Sequence, residues 1–170
     1  MTEPLLQIIL AAVLFIAVVT DLKSCRIPNW LTVPAMACGL LVHTLFDGQS
    51  GLIMSLEGLG LGLGLFLVFY VMGGMGAGDV KLMAAIGSIL GPAGVLSVAV
   101  MTGLLGGVYA AAAMIANWGL RETVQRVKTM LLTQTGDPES DFTVTPRSQL
   151  QLRYALVIGL GTLLSQLVVR

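Results

Sequence analysis

Charged side chains are scarce in this chain of 170 residues: only 11% are Asp, Glu, Lys or Arg, whereas 56% are hydrophobic. The mean hydropathy is accordingly high, at +0.91. Because an average soluble domain carries about 25% charged residues, this composition excludes an ordinary water-soluble globular protein. We predict an integral membrane protein with a single domain over residues 1–170, embedded in a lipid bilayer and without a nucleic-acid partner.

Cysteine and histidine are also nearly absent. Cys25 and Cys38 are the two cysteines, too few for a disulfide framework or a four-cysteine metal cluster, so both are expected to be free thiols. His43 is the single histidine, and on an apolar helix we expect it to be a packing or interface residue. Because no cluster of His, Cys and carboxylates has ligand spacing, we predict no metal and no cofactor.

The phosphate-binding motifs are missing as well, although residues 73–81 are rich in glycine. A phosphate-binding loop needs a lysine after its last glycine, but Asp79 occupies that position and would repel an anion. The dinucleotide fingerprint fails on spacing, because Gly74, Gly76 and Gly78 recur at every second residue. We therefore exclude nucleotide binding by this segment.

Long apolar runs dominate what is present, and they predict an all-α bundle of about six transmembrane helices. Several runs are shorter than the about 20 residues of a full span, which indicates tilted helices or ends inside the protein. Gly91-Pro92 divides an apolar stretch that is too long for one helix, because proline lacks a backbone N–H and disfavours helix before it. The runs are 5–20, 30–46, 52–72, 80–91, 93–116 and 154–169.

Glycines at helical spacing mark the third run as a packing helix. Its pairs 58/62 and 60/64 lie on nearly opposite helix faces, and such pairs let neighbouring helices approach closely. We therefore expect this helix to be central in the bundle, with neighbours on both faces. The pairs 87/91 and 103/107 repeat the spacing.

The long polar segment of the chain is 117–153. Its first half has apolar residues at helical spacing between basic ones, which predicts an amphipathic helix on the inner membrane surface. Its second half, around 136–141, is typical of a turn-rich loop. The acidic residues of that loop either are simply solvated, which we favour, or attract a basic segment of a partner.

Basic residues are distributed very unevenly between the two sides of the predicted bundle. With the N-terminus outside, one side receives eight Lys or Arg residues and the other receives Arg170. Because positive residues concentrate on the cytoplasmic side, this split places both Asp21 and Asp79 at the cytoplasmic face. The eight residues are Lys23, Arg26, Lys81, Arg121, Arg126, Lys128, Arg147 and Arg153.

Asp21 and Asp79 are the candidate functional residues. An ionisable residue at membrane depth is costly and usually marks a functional site, although Asp79 could also serve only as the cap of the next helix. Two carboxylates on one side suggest a catalytic pair, in which one is ionised and activates water while the other is protonated and polarises a carbonyl. The alternative is a proton or cation pathway.

Two motifs resemble those of a known family. The segment from Asp21 to Asn29 (DLKSCRIPN) resembles the D-x-(basic)-x-x-x-I-P-N segment of type IV prepilin peptidases. The segment from Gly76 to Leu82 (GAGDVKL) resembles their G-x-G-D-x-K-(L/M) motif. The two motifs occur in the family's order, and the resemblance covers roughly residues 5–116.

The resemblance implies an aspartic endopeptidase of the bacterial inner membrane or the archaeal cell membrane. Such enzymes remove the basic leader of prepilin-like proteins, cutting after a glycine at the cytoplasmic membrane face. It further implies that Asp21 and Asp79 are the catalytic pair. Gly76 and Gly78 would shape the loop, and Lys81 and Arg26 are candidates for positioning only.

The chain also departs from the larger members of the family. It has no four-cysteine zinc module, so it resembles the small type found with tight-adherence (Flp) pili or the archaeal preflagellin peptidases, and N-methyltransferase activity is not expected. The proline-aromatic-glycine turn before the last span is also missing near Tyr154. The alternatives are a presenilin-like intramembrane protease, which shares G-x-G-D, and a small proton-coupled transporter or channel subunit.

Overall fold

The computed structural model describes residues 2–24, 26–71, 75–118 and 154–168, and within these ranges the chain is helical except at 26–28 and 75–76, without strands. The predicted all-α class is therefore confirmed. The described part of the chain contains the helices α1 (Thr2–Ser24), α2 (Asn29–Val71), α3 (Ala77–Trp118) and α4 (Tyr154–Val168). The predicted amphipathic helix and loop of 117–153 lie outside the described residues, apart from the last residues of α3.

The chain forms two compact units. The first consists of Met1–Leu105 and Arg153–Arg170; it contains α1, α2, α4 and most of α3. The second is Gly106–Leu152, of which the structure describes the helical backbone of 106–118. The cavity and the contacts of α1, α2, α4 and residues 77–105 of α3 with one another lie within the first unit. The single domain expected from the sequence stays a prediction.

Helix α2 folds back on itself at Gly48. The backbone there has φ 62° and ψ −138°, a conformation that is readily accessible only to glycine. A Cβ atom on Gly51 would overlap the carbonyl oxygen of His43, although residues eight apart in a straight helix are separated by about 12 Å. The segments 29–47 and 49–71 therefore form a helical hairpin.

Helix α3 folds back in the same way at Gly91, where φ is 72°. Gly62 lies against both the backbone of Met83 and the side chain of Val95, residues that a straight helix would hold about 18 Å apart. The predicted break at Gly91-Pro92 is thus confirmed, and within the first unit the segments 77–90 and 92–105 form a second hairpin.

The second hairpin leaves carbonyl groups without their helical donors. Pro92 has no N–H for the carbonyl four residues earlier, and that carbonyl, of Ser88, accepts a hydrogen bond of 2.7 Å from the Ser55 hydroxyl. The next carbonyl, of Ile89, accepts a 2.9 Å bond from Nε2 of buried His43. His43 is therefore a packing residue, as predicted, and its hydrogen bond to Ile89 stabilises the chain reversal at Gly91.

The six apolar runs of the sequence correspond to six helical segments within the four helices. Among the residues that the structure describes, three helices are long and apolar enough to cross a membrane: Pro4–Ser24, Asn29–Val71 and Ala77–Tyr109. The apolar part of the fourth, Ala155–Leu167, is shorter. Because two of the long helices are hairpins, the number of helical passes exceeds the number of long helices.

The central helix of the first unit is the segment 77–90, not the third apolar run. Every side chain from Leu82 to Ile89 is buried. Gly58 and Gly62 of the third run pack against this segment, whereas no described atom lies within 4 Å of a Cβ on Gly60 or Gly64. The prediction of neighbours on both faces is therefore wrong for the described part of the chain.

Helix α1 packs against both α2 and α4. The position of α4 is fixed partly by Gly159, whose Cβ would lie 3.3 Å from the Val18 side chain. Gly161 in turn approaches the backbone of Thr102 in α3. Helix α4 thus packs against α1 and against α3 near Thr102, and Ala155 and Ile158 are fully buried.

Substituting Gly58 should destabilise the bundle, and Gly60 on the same helix supplies the matched control. A Cβ on Gly58 would overlap the carbonyl oxygen of Gly87, which is backbone and has little room to move. We expect Gly58→Ala to lower the free energy of unfolding by about 1–3 kcal/mol. Gly60→Ala should leave it unchanged or raise it by about 0.5–1 kcal/mol, because alanine favours helix.

The measurement is thermal unfolding of the purified protein in detergent. Equal midpoints for the two variants would show that the close contact of Gly58 with Gly87 does not exist in the protein.

Candidate active site

Asp21 lies in the last turn of α1. Its side chain is only 7% exposed, although the residues that follow it, Leu22 to Ser24, are exposed. The apolar residues of α1 that precede it, such as Leu14 and Ala17, belong to the buried core. Asp21 therefore occupies the boundary between the apolar bundle and its polar end.

Asp79 lies in the first turn of α3 and is 9% exposed. Its N–H donates to the carbonyl of Gly76 over 3.1 Å, and its carboxylate accepts a hydrogen bond from the backbone of Gly76. This exchange resembles a capping box, in which the side chain at the third helical position bonds back to the residue before the helix. Asp79 thus does cap α3, as the alternative interpretation held.

Capping does not account for the surroundings of Asp79, because it shares a cavity with Asp21. The cavity has a volume of about 380 Å³ and opens at the end of the bundle where α1 ends and α2 and α3 begin. The two carboxylates are close enough to interact electrostatically. The lining residues are Asp21, Arg26, Ile27, Asn29, Gly76, Ala77, Gly78, Asp79 and Lys81.

The two motif segments contact each other directly at Gly78. A Cβ atom there would lie 3.1 Å from Cβ of Ile27 and 3.2 Å from its backbone nitrogen. Ile27 is itself buried. The absence of a side chain on Gly78 therefore lets the connection between α1 and α2 rest on the first turn of α3, next to Asp79.

A second contact joins the same two segments through side chains. Nζ of Lys81 donates a 2.9 Å hydrogen bond to Oδ1 of Asn29. Asn29 is the first residue of α2, and Lys81 lies in the first part of α3. Lys81 thus bonds an uncharged amide at the cavity wall, between helices whose N-termini flank the two carboxylates.

The structure brings all six predicted site residues to this one cavity. Asp21 and Asp79 are buried, whereas Arg26 and Gly76 are exposed and Gly78 and Lys81 are half-buried. Gly76 is close to the carboxylate, since a Cβ on it would lie 3.2 Å from Oδ2 of Asp79.

Sequence reasoning assigned no role to Ile27 and Asn29, which both line the cavity. The signal was available, because both belong to the I-P-N part of the first motif. What the motif could not indicate was their partners, Gly78 and Lys81, which are more than 50 residues away in the chain.

No group of three or more His, Cys, Asp or Glu that could hold a metal ion occurs within 2–24, 26–71, 75–118 and 154–168. The charged side chains that line the cavity are two carboxylates, Asp21 and Asp79, and two cations, Arg26 and Lys81. Such a set is suited to proton transfer and to polarising a carbonyl group.

The sequence model of the type IV leader peptidase family matches residues 8–111, a range that contains both aspartates and the whole cavity. This chain belongs to the type IV leader peptidase family. A curated relative, the prepilin leader peptidase/N-methyltransferase of Bacillus subtilis (strain 168), is 32% identical over 114 residues. The alignment covers 64% of this chain and 44% of that relative. No solved structure matches the chain.

Membership of the family identifies the chain as a peptidase at the family level. The chain spans less than half the length of its curated relative. The match identifies the reaction class, and not the substrate, the cleavage position or the roles of individual residues.

The contact of Gly78 with Ile27 gives a test of the cavity wall. Gly78→Ala should move the α1–α2 connection by a few tenths of an ångström and lower peptidase turnover roughly tenfold, because small displacements of catalytic groups are costly. Gly103→Ala, on the same helix but with no described atom within 4 Å of its Cβ, is the control. The measurement is the single-turnover rate in detergent, and equal rates for the two variants would contradict the role of this contact.

Proposed function

We propose that the protein is a membrane-embedded aspartic endopeptidase that removes the basic leader from prepilin-like proteins at the cytoplasmic membrane face. The observation that carries the proposal is that two buried carboxylates, from segments 58 residues apart, line one cavity. Membership of the leader peptidase family supports the reaction class.

The proposed chemistry assigns one proton to the pair Asp21 and Asp79. The ionised carboxylate takes a proton from a water molecule, whose oxygen attacks the peptide carbonyl carbon. The protonated carboxyl donates its hydrogen to the carbonyl oxygen as negative charge develops there. The carboxyl that took the proton from water donates it to the leaving nitrogen as the C–N bond breaks, and the other carboxylate takes a proton from a hydroxyl of the tetrahedral intermediate, so the pair again holds one proton.

The position of the cavity favours a substrate that lies at the membrane surface. Asp21 ends α1, while Asp79 begins α3, so both carboxylates lie at one end of the bundle. The chain reversals at Gly48 and Gly91 lie at the other end. A leader peptide that leaves the bilayer beside α2 and α3 would meet the carboxylates without entering the apolar core.

The orientation in the membrane belongs to the same proposal. The end that carries the cavity also carries Lys23, Arg26 and Lys81, and an excess of positive residues marks cytoplasmic segments. The membrane is the bacterial inner membrane or the archaeal cell membrane. The N-methyltransferase activity named for the relative from Bacillus subtilis is not included.

Removal of either carboxylate should abolish cleavage. Asp21→Asn and Asp79→Asn keep the size of the side chain but cannot exchange the shared proton, so we expect at least a 1,000-fold loss of turnover, roughly the scale reported for essential catalytic groups. The measurement is the mass shift of a co-expressed prepilin-like protein.

Asp47→Asn supplies the control, because Asp47 lies beside Gly48, at the turn of the α2 hairpin and at the opposite end of the bundle from the cavity. Substantial turnover by either Asp21→Asn or Asp79→Asn, with normal accumulation of the protein, would rule out a catalytic pair.

Thiol labelling tests the orientation. In a chain with Cys25 and Cys38 replaced, Ser24→Cys should be protected from a membrane-impermeant reagent in intact cells, whereas Gln49→Cys should be labelled. Both positions are exposed in the structure, so protection reports the membrane side and not burial. The reverse pattern would place the cavity on the outer face.

The direct test of the substrate class is co-expression with prepilin-like proteins that carry basic leaders, followed by sequencing of the mature N-terminus. A new N-terminus that depends on Asp21 and Asp79 supports the proposal. Leaders that stay intact in the presence of accumulated wild-type protein would contradict it.

A further inference from the structure

Lys81 presents a problem for a cavity that must hold one protonated carboxyl. An ammonium group that pairs with a carboxylate favours its ionised form, and Lys81 lines the same cavity as Asp21 and Asp79. In the part of the chain that the structure describes, however, its hydrogen bond goes to Oδ1 of Asn29. An uncharged acceptor therefore holds the cation at the wall of the cavity.

Asn29 is well placed to hold the cation there. It is the first residue of α2, and the backbone around it is fixed by the bond from Leu31 N–H to the Pro28 carbonyl, at 3.1 Å. The adjoining Ile27 is buried and rests on Gly78. The side-chain amide thus extends from a fixed backbone toward α3.

We propose that Asn29 is a positioning residue that, by accepting the hydrogen bond from Lys81, fastens the α1–α2 connection to α3 and keeps the ammonium group from pairing with the catalytic carboxylates. The inference rests on the proposed function, because it needs Asp21 and Asp79 to act as a pair. It assigns the amide a task that neither an aliphatic nor a charged residue could perform equally well.

The proposal predicts that Lys81→Met restores part of the activity that is lost in Asn29→Ala. Asn29→Ala removes the acceptor and releases the ammonium toward the carboxylates, so kcat should fall by roughly 10- to 100-fold. Lys81→Met breaks the same contact but also removes the cation, so its loss should be smaller. The double variant Asn29→Ala/Lys81→Met should therefore be more active than Asn29→Ala alone.

The kinetic constants separate this role from others. If Asn29 is a positioning residue, the KM of Asn29→Ala for a purified prepilin-like substrate stays within about twofold of the wild-type value while kcat falls. If Lys81 instead binds the substrate, Lys81→Met raises KM and Asn29→Ala does not. If the fold-loss of kcat in the double variant equals the product of the losses in the two single variants, the two residues act independently and the proposal is wrong.

A readout without catalysis keeps this test separate from the proposed function. Ala77 is exposed and lines the cavity, so alkylation of Ala77→Cys, with Cys25 and Cys38 replaced, reports how open the cavity is. Asn29→Ala should speed this alkylation several-fold, even in an Asp79→Asn background. Unchanged alkylation would overturn the fastening role, whatever the outcome for the aspartates.

Folding of the variants is checked by thermal unfolding in detergent. If Asn29→Ala does not accumulate, Lys81→Met and Lys81→Arg decide the matter, because arginine keeps an N–H donor for Asn29. Lys81→Arg should then retain clearly more activity than Lys81→Met, and equal activity of the two would contradict the proposal.

Discussion

The fold depends on how the backbone carbonyls released at Gly91 and Pro92 are satisfied inside an apolar bundle. An unsatisfied carbonyl in such surroundings costs several kcal/mol, since no water is present to replace the lost donor. Ser55 and His43, from the two halves of the α2 hairpin, supply the missing donors. Both halves of α2 are thereby tied to the same point of α3, and the two hairpins form one packed core.

Close backbone contacts make those hydrogen bonds geometrically possible. Gly39 lies against the backbone of Ser88, and Gly58 and Gly87 approach each other directly. With side chains at these positions the helices would be too far apart for the Ser55 hydroxyl to reach the carbonyl of Ser88. The glycines thus set the distance between helices, and the few buried polar groups use that distance.

Sequence patterns predicted the helical class, the break at Gly91 and the placement of Asp21 and Asp79 at the same end of the bundle, because each depends on local chemistry or on the side of the membrane. They did not predict which helix is central. Glycine spacing marks faces that can pack closely but not the faces that do, so Gly60 and Gly64 were indistinguishable from Gly58 and Gly62. The partners of Ile27 and Asn29 were equally hidden, since long-range contacts leave no periodic signal.

The location of the cavity follows from the cost of burying polar groups in an apolar bundle. A carboxylate pair in the middle of the bundle would have to be desolvated completely, whereas one at the ends of α1 and α3 stays next to polar backbone and solvent. The first turn of α3 offers Asp79 a backbone donor from Gly76, and its helix dipole favours a negative charge there. The central helix is buried from Leu82 to Ile89 and Asp79 is buried just before this stretch, whereas Ala77 at the start of the helix is exposed. The packed core and the cavity wall thus share one helix, and a single turn separates them.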